Sequence, residues 1–341
     1  MEPSVSQPKP SRRWKRLLWL VPLVFPIYGL IYVRIDEWLD ERRFPHVGTS
    51  VDIGGRSLNL FCSGSGAPTV LLESGYWQPG YSWTPVQRRL AATNRTCWYD
   101  RAGNGWSDPA PGKRFSDSVV SDLHRLLAAA RIAPPYVLVG HSLGGYHVRV
   151  FNARYPAEVA GLVLVDPSNE DVGKRIPDMP RGGGPNLPPV IVHTVDFVVR
   201  NTGVWRWLMR DQGTKPPTLS DREWATIGSL RRQRKSIWEA GQEAPERGSA
   251  AIAREAGGLD SVPLIVLTRG KPFGDSDTAR DNRLLRSWIE LSGELAHRSS
   301  QGSQRVIAGA DHFIQYDDPA AVVDAVHTVV TRALEHDHRT Q

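Results

Sequence analysis

The sequence predicts an α/β protein, a largely parallel sheet with helices on both faces. Three observations predict it. Short, almost uninterrupted apolar runs, such as YVLV at 136–139 and GLVLV at 161–165, read as strands buried on both sides. Stretches with apolar residues at helical spacing alternate with those runs. The turns that leave the runs are rich in Gly, Asp and Ser. The 341 residues, 40% hydrophobic and 23% charged, suit one large domain with an insertion and a tail, and they exclude wholesale disorder or a multi-span membrane protein. Two cysteines exclude a disulfide-dense scaffold and a four-cysteine zinc site.

The chain opens on a polarised segment. Residues 1–16 hold Lys9, Arg12, Arg13, Lys15 and Arg16 against the single acid Glu2. From Leu17 to Val33 no residue is charged, and as a helix this run is about 25 Å long, the short end of a bilayer crossing. Basic-then-apolar order predicts an uncleaved single-pass anchor in the cell membrane over 17–33. The tail 1–16 is then cytoplasmic, 34–46 is a linker, and the remainder is extracytoplasmic. A cleaved signal peptide is the rival reading, and no A-x-A site follows the run. The segment before Leu17 carries +4 of the formal +6, so the rest is close to neutral and no nucleic-acid partner is expected.

From about Val47 the elements follow in order. Residues 57–62 alternate as a strand; 69–73 (TVLLE) and 96–99 (TCWY) are short buried strands, each leading into a polar turn. Residues 116–132 have helical spacing, with Val119, Val120, Leu123, Leu126 and Leu127 on one side. The strand 136–139 enters Gly140-His-Ser-Leu-Gly144, then a helix over 146–155 stops at Pro156. Strand 161–165 ends at Asp166, and the core resumes with LIVLT at 264–268 and a last strand at 305–308. A helix from Pro319 to Leu334, capped by Asp317 or Asp318, closes the core, with residues 336–341 as a tail. Between the two halves of the core (47–166 and 262–335), residues 167–261 carry only one strand-like run, VIV at 190–192. They are rich in Pro, in helical stretches and in tryptophan (Trp205, Trp207, Trp224, Trp238), which reads as a helical lid. Arg231, Arg232, Arg234 and Lys235 within it read as a solvated basic face.

Gly140-His141-Ser142-Leu143-Gly144 fits G-x-S-x-G in the context that makes it informative, after a strand and before a helix. Such a turn projects Ser142 at the carboxyl edge of the sheet, where the helix N-terminus and the Leu143 N–H favour an oxyanion. Among ten histidines, His312 lies just after the last strand, in a loop that returns to this edge. His141 neighbours Ser142, but adjacent residues on a sharp turn point apart. The third member, which holds the imidazole, falls in chain order after Ser and before His, and two strand-end positions fit. Asp166 sits tightly at the end of its strand; Asp275, with Asp277, lies in a looser Gly/Pro loop, so Asp166 is preferred and Asp275 is the alternative.

These pieces together resemble an α/β-hydrolase-fold serine hydrolase of the esterase and lipase kind. The resemblance is carried by Glu73-Ser74-Gly75, by Tyr99-Asp100-Arg101-Ala-Gly103-Asn-Gly105-Trp-Ser107, by Gly140 to Gly144, Leu162 to Asp166 and Gly309 to His312. It implies an eight-stranded, mostly parallel sheet with the lid inserted after strand six. It implies an acid after strand seven or, as the spacing of 24 from Ser142 to Asp166 suggests, after strand six. Where the family's first oxyanion loop reads His-Gly, this chain has Ser74-Gly75, and the backbone donor expected beside Leu143 is Tyr76. Trp77 and Trp83 are expected to wall a substrate pocket. Serine at the elbow argues against the branches with an aspartate nucleophile. No metal and no cofactor is required. Cys62 and Cys97 fall on neighbouring strands in the family's order, open either to a disulfide or to two free thiols. The expected reaction is cleavage of small-molecule or lipid carboxylic esters through an acyl-enzyme on Ser142. Thioesterase, amidase or cofactor-free haloperoxidase-like chemistry is the alternative on the same scaffold, as is a non-catalytic binding domain.

Overall fold

The computed structural model describes residues 21–177, 188–243, 246–273 and 279–340. Strands β1 (Thr49–Asp52), β2 (Ser57–Ser63), β3 (Thr69–Glu73), β4 (Thr96–Tyr99), β5 (Tyr136–His141), β6 (Val159–Val165), β7 (Leu264–Arg269) and β8 (Gly302–Ile307) form one sheet in the order β1-β2-β4-β3-β5-β6-β7-β8. The pairs β1–β2 and β2–β4 are antiparallel, and all others are parallel. This is the α/β-hydrolase fold, with helices inserted after β6.

The alternation of side chains along the parallel strands builds two apolar layers. Leu71, Leu138, Leu162, Leu164, Leu264 and Val266 face one side and pack with Val120, Leu123, Leu126 and Leu127 of helix α3 (Ser116–Ala129). Val70, Leu72, Val137, Val139, Val163, Val165, Ile265 and Leu267 face the other. There they meet α2 (Thr84–Leu90) and α13 (Pro319–Thr340) through Val86, Leu90, Val322, Val326 and Val329. Both faces of the central strands are therefore dry, which is why those strands read as continuous apolar runs. Asp318 caps α13, its Oδ1 accepting the Ala321 N–H at 3.0 Å. The backbone of α13 continues helical to Thr340, where a tail is expected.

Cys62 and Cys97 face each other on the antiparallel pair β2–β4 with Cα atoms 4.1 Å apart, and they form a disulfide. Of the two alternatives open in the sequence, the bridge is the one present.

The chain forms two compact units. The second holds residues 46–184 and 212–341, hence the sheet; the first holds residues 1–45 with 185–211. In the first unit, α1 (Val21–Arg43) packs with α6 (Pro189–Asn201). A turn at Gly203 leads to α7 (Val204–Leu208). The run 190–192 lies in α6, so its β-branched residues belong to a helix and not a strand. Residues 34–43, expected as linker, continue α1. Asp36 and Asp40, one turn apart, both pair with the buried Arg206 of α7. Among the described residues no helix is long and apolar enough to cross a membrane; residues 17–20 of the expected anchor lie outside them. Ile27, Tyr28, Leu30 and Ile31 of α1, and Ile191, Val195, Phe197 and Val198 of α6, are exposed.

Candidate active site

Three strand ends bring the site together. Ser142 follows β5 at φ 50°, the left-handed region that costs a non-glycine residue roughly 1–3 kcal/mol. The turn is held by the Ser142 N–H to Val165 O (3.0 Å), and by the Ser142 carbonyl accepting from Gly145 (2.9 Å) and Ser168 (3.0 Å). The chain can turn this tightly into helix α4 (Gly144–Arg154) because Gly140 carries no side chain: a Cβ there would lie 2.6 Å from the Gly144 carbonyl oxygen.

His312 lies in the loop between β8 and α12 (Ile314–Asp317), with its Nε2 3.0 Å from Ser142 Oγ and its Nδ1 2.7 Å from Asp166 Oδ2. A carboxylate oxygen only accepts, so Nδ1 donates to Asp166 and Nε2 is left to accept the Ser142 hydroxyl proton. Asp166 is fully buried at the end of β6, at φ 41°, a second strained residue. Its Oδ1 accepts the Arg269 backbone N–H at 3.0 Å and the Trp288 indole N–H at 2.8 Å. Asp275 and Asp277 lie outside the described residues.

The His141 ring lies 4.8 Å from the His312 ring, centroid to centroid, and donates from Nε2 to the His312 carbonyl at 2.8 Å. Burial, together with the charge of nearby His312, pushes its pKa down to about 3. It is thus a neutral support under the His312 loop.

The segment 73–76 runs beside the elbow. A Cβ on Gly75 would meet Ser142 Cβ at 3.2 Å and His141 Nδ1 at 2.6 Å, so only glycine lets this backbone come so close. The N–H groups of Tyr76 and Leu143 have no hydrogen-bond partner among the described residues. Beneath the loop lies a charge cluster with no exposed member. Arg101 donates to Glu73 (2.6 Å) and, in a fork, to Glu243 of helix α9 (Arg234–Glu243) at 2.7 and 3.0 Å. Glu73 also takes bonds from Tyr99 and, at 3.1 Å, from His147. Burial alone would raise the Glu73 pKa, but Arg101 and His147 outweigh it and hold the carboxyl below its ordinary range. The residues 100–107 fold around Asp100, which accepts from Asn59 (2.9 Å), Gly80 (2.6 Å) and Trp106 (3.0 Å).

One expected pocket residue is placed differently. Trp83 is 1% exposed and packs in the valine-lined layer of the core, edge-on to His141, so it supports the site from below and does not wall a pocket. Trp77, at φ 53°, lies 4.4 Å from the guanidinium carbon of Arg231, which is therefore no member of a solvated basic face. Sequence reasoning also missed Trp288, Arg269 and the Glu73–Arg101–Glu243 cluster. Glu73 and Arg101 stood within motifs, but nothing local marked their partner.

A strand–turn–helix elbow with serine at its tip, on an eight-stranded sheet of this order, defines an α/β hydrolase. The model of the alpha/beta hydrolase family matches residues 60–325, and the chain belongs to that family. It is 30% identical over 121 residues to the uncharacterised Bacillus subtilis protein YbdG, covering 35% of this chain and 37% of that one. It is 34% identical over 108 residues to the uncharacterised YqjL of the same organism, covering 32% and 43%. The chain thus spans about two-fifths of the length of these curated relatives. Among solved structures it is similar to a thermophilic esterase from Thermogutta terrifontis (TM-score 0.54, 21% identity, 84% of this chain and 97% of that one). It is also similar to the enol-lactonase of Burkholderia xenovorans LB400 (TM-score 0.57, 17% identity, 83% and 100%). At these identities the likeness is one of fold.

Proposed function

We propose that this protein is a serine hydrolase of carboxylic esters, acting through an acyl-enzyme on Ser142. The observation that carries the reading is the continuous chain Asp166–His312–Ser142, with contacts of 2.7 and 3.0 Å. In this mechanism Ser142 Oγ attacks the acyl carbonyl carbon while His312 Nε2 takes its proton, and Asp166 steadies the imidazolium. The carbonyl oxygen becomes an oxyanion held by the N–H groups of Leu143 and Tyr76, each worth roughly 3–4 kcal/mol in such sites. His312 returns the proton to the departing alcohol. Water, deprotonated by the same imidazole, then releases the carboxylic acid and restores Ser142.

Membrane attachment through residues 17–33, with the hydrolase outside the cytoplasm, belongs to the same proposal. The charge-free run after a basic tail, the exposed apolar residues of α1 and the disulfide all favour it, since disulfides persist in oxidising compartments. The test is steady-state hydrolysis of p-nitrophenyl esters of graded chain length by the purified full chain. Wild type should turn over at least one chain length and Ser142→Ala should lose nearly all of that activity. Undiminished turnover by Ser142→Ala would refute the assignment.

A further inference from the structure

Arg101 uses every donor it has. Its five N–H groups go to Glu243 twice, to Glu73, to the Ser74 carbonyl at 2.7 Å and to the Gly75 carbonyl at 2.8 Å. The two carbonyls matter most. A trans peptide is planar, and its C=O and N–H point in opposite directions. Holding the Gly75 carbonyl toward Arg101 turns the Tyr76 N–H the other way, and holding the Ser74 carbonyl does the same for the Gly75 N–H. The strip runs directly against the elbow: a Cβ on Gly75 would meet Ser142 Cβ at 3.2 Å, and a Cβ on Gly144 would lie 2.7 Å from the Ser74 carbonyl oxygen.

The partner that fixes Arg101 comes from the insertion. Glu243 ends α9, 142 residues away in sequence, and grips the guanidinium with both oxygens. Two further contacts tie the strip to insertion helices. The Tyr76 hydroxyl, whose pKa burial and Glu243 push up to about 12, donates to the Ala240 carbonyl of α9 at 2.9 Å. Arg231, which ends helix α8 (Asp221–Arg231), lies over the Trp77 ring.

We propose that Arg101 and Glu243 are positioning residues that aim the Tyr76 N–H at the oxyanion, so that the insertion sets the competence of the oxyanion site. The inference rests on the proposed reaction at Ser142. It gives the buried ion cluster a use that packing does not require, because apolar residues of similar volume would pack as well without the desolvation of three charges.

The test compares Glu243→Gln, which keeps shape and loses charge, Arg101→Lys, which keeps charge and loses the fork, and Tyr76→Phe, which keeps the N–H and loses the tie to Ala240. The readouts are kcat, KM, and inhibition by a trifluoromethyl ketone, whose hemiketal with Ser142 presents the oxyanion. Each is referred to the folded fraction measured by circular dichroism. Glu243→Gln and Arg101→Lys should lower kcat about tenfold to a hundredfold, with KM within about twofold, and should weaken the ketone by a similar factor. Tyr76→Phe should show the same pattern more mildly. If kcat and ketone affinity per folded molecule match wild type in Glu243→Gln, the inference is wrong even where Arg101→Lys fails to fold. If the ketone instead inhibits Ser142→Ala as strongly as wild type, the underlying reading of the site fails, and that outcome is separate from the first.

Discussion

Trp288 donates its indole N–H to Asp166 Oδ1 at 2.8 Å, leaving Oδ2 to His312. The indole belongs to helix α11 (Ala279–Ala296) and packs with Ile176, Leu284 and Leu291, so the orientation of the carboxylate is set by an apolar cluster outside the reacting groups. Replacing Trp288 with Phe keeps the packing of a large ring and removes one donor. The expected loss is about 1–2 kcal/mol of carboxylate orientation, read as a roughly tenfold fall in kcat with KM little changed. A fall in KM and kcat together, or none in either, would show that the bond does not orient Asp166.

Asp166 and Asp275 make opposite predictions. Asp166→Asn should cut kcat by about four orders of magnitude, because an amide at that position accepts and donates and no longer dictates which His312 nitrogen carries the proton. Asp275→Asn should leave kcat within about twofold. The reverse result in ester-hydrolysis assays of the two variants would move the acid to the strand-seven loop.

Glu170 makes stability depend on acid. It is buried, forked to Arg149 at 2.9 Å on both oxygens, and bonded also to Arg298. Burial opposes its ionisation, yet Arg149 and Arg298 prevail and hold its pKa down to about 2 from an ordinary 4.5. A carboxyl depressed in the folded state binds its proton more readily when unfolded. Its contribution is therefore whole above about pH 4.5 and is lost as pH falls toward 2. Glu170→Gln should cost about 3 kcal/mol at pH 7, and urea titrations should find the gap to wild type narrowing below pH 4.5. A gap that is constant between pH 7 and 3 would contradict this.

Removing the Cys62–Cys97 bridge should destabilise the chain without altering the site. The cysteines are 35 residues apart, and the loop-entropy model gives about 3–4 kcal/mol for a closed loop of that length. The Cys62→Ser, Cys97→Ser double variant should unfold at lower denaturant with an unchanged kcat at low temperature.

Local features of the fold are legible in the sequence. The elbow is a local pattern, since Gly140 and Gly144 with an apolar strand before them leave one conformation for Ser142. Asp166 and His312 followed from parallel strands sharing a carboxyl edge. That rule alone left Asp275 open, because its loop leaves the same edge. What failed was long-range. Residues 34–43 continue helix α1, and their partner Arg206 lies far along the chain, where no local pattern in the sequence points to it. The run 190–192 was too short for periodicity to separate strand from helix. Glu243 showed nothing to connect it with Arg101, and Trp83 could be a pocket wall or a core ring until its neighbours were known.

Whether Ser142 is the nucleophile is decided by incubating the full chain with an alkyl fluorophosphonate and mapping the adduct by peptide mass spectrometry. One phosphonyl group should form, on Ser142, absent from Ser142→Ala and much slower to form in His312→Ala. An adduct confined to another residue, or none on Ser142 in a preparation that turns over esters, would contradict that assignment.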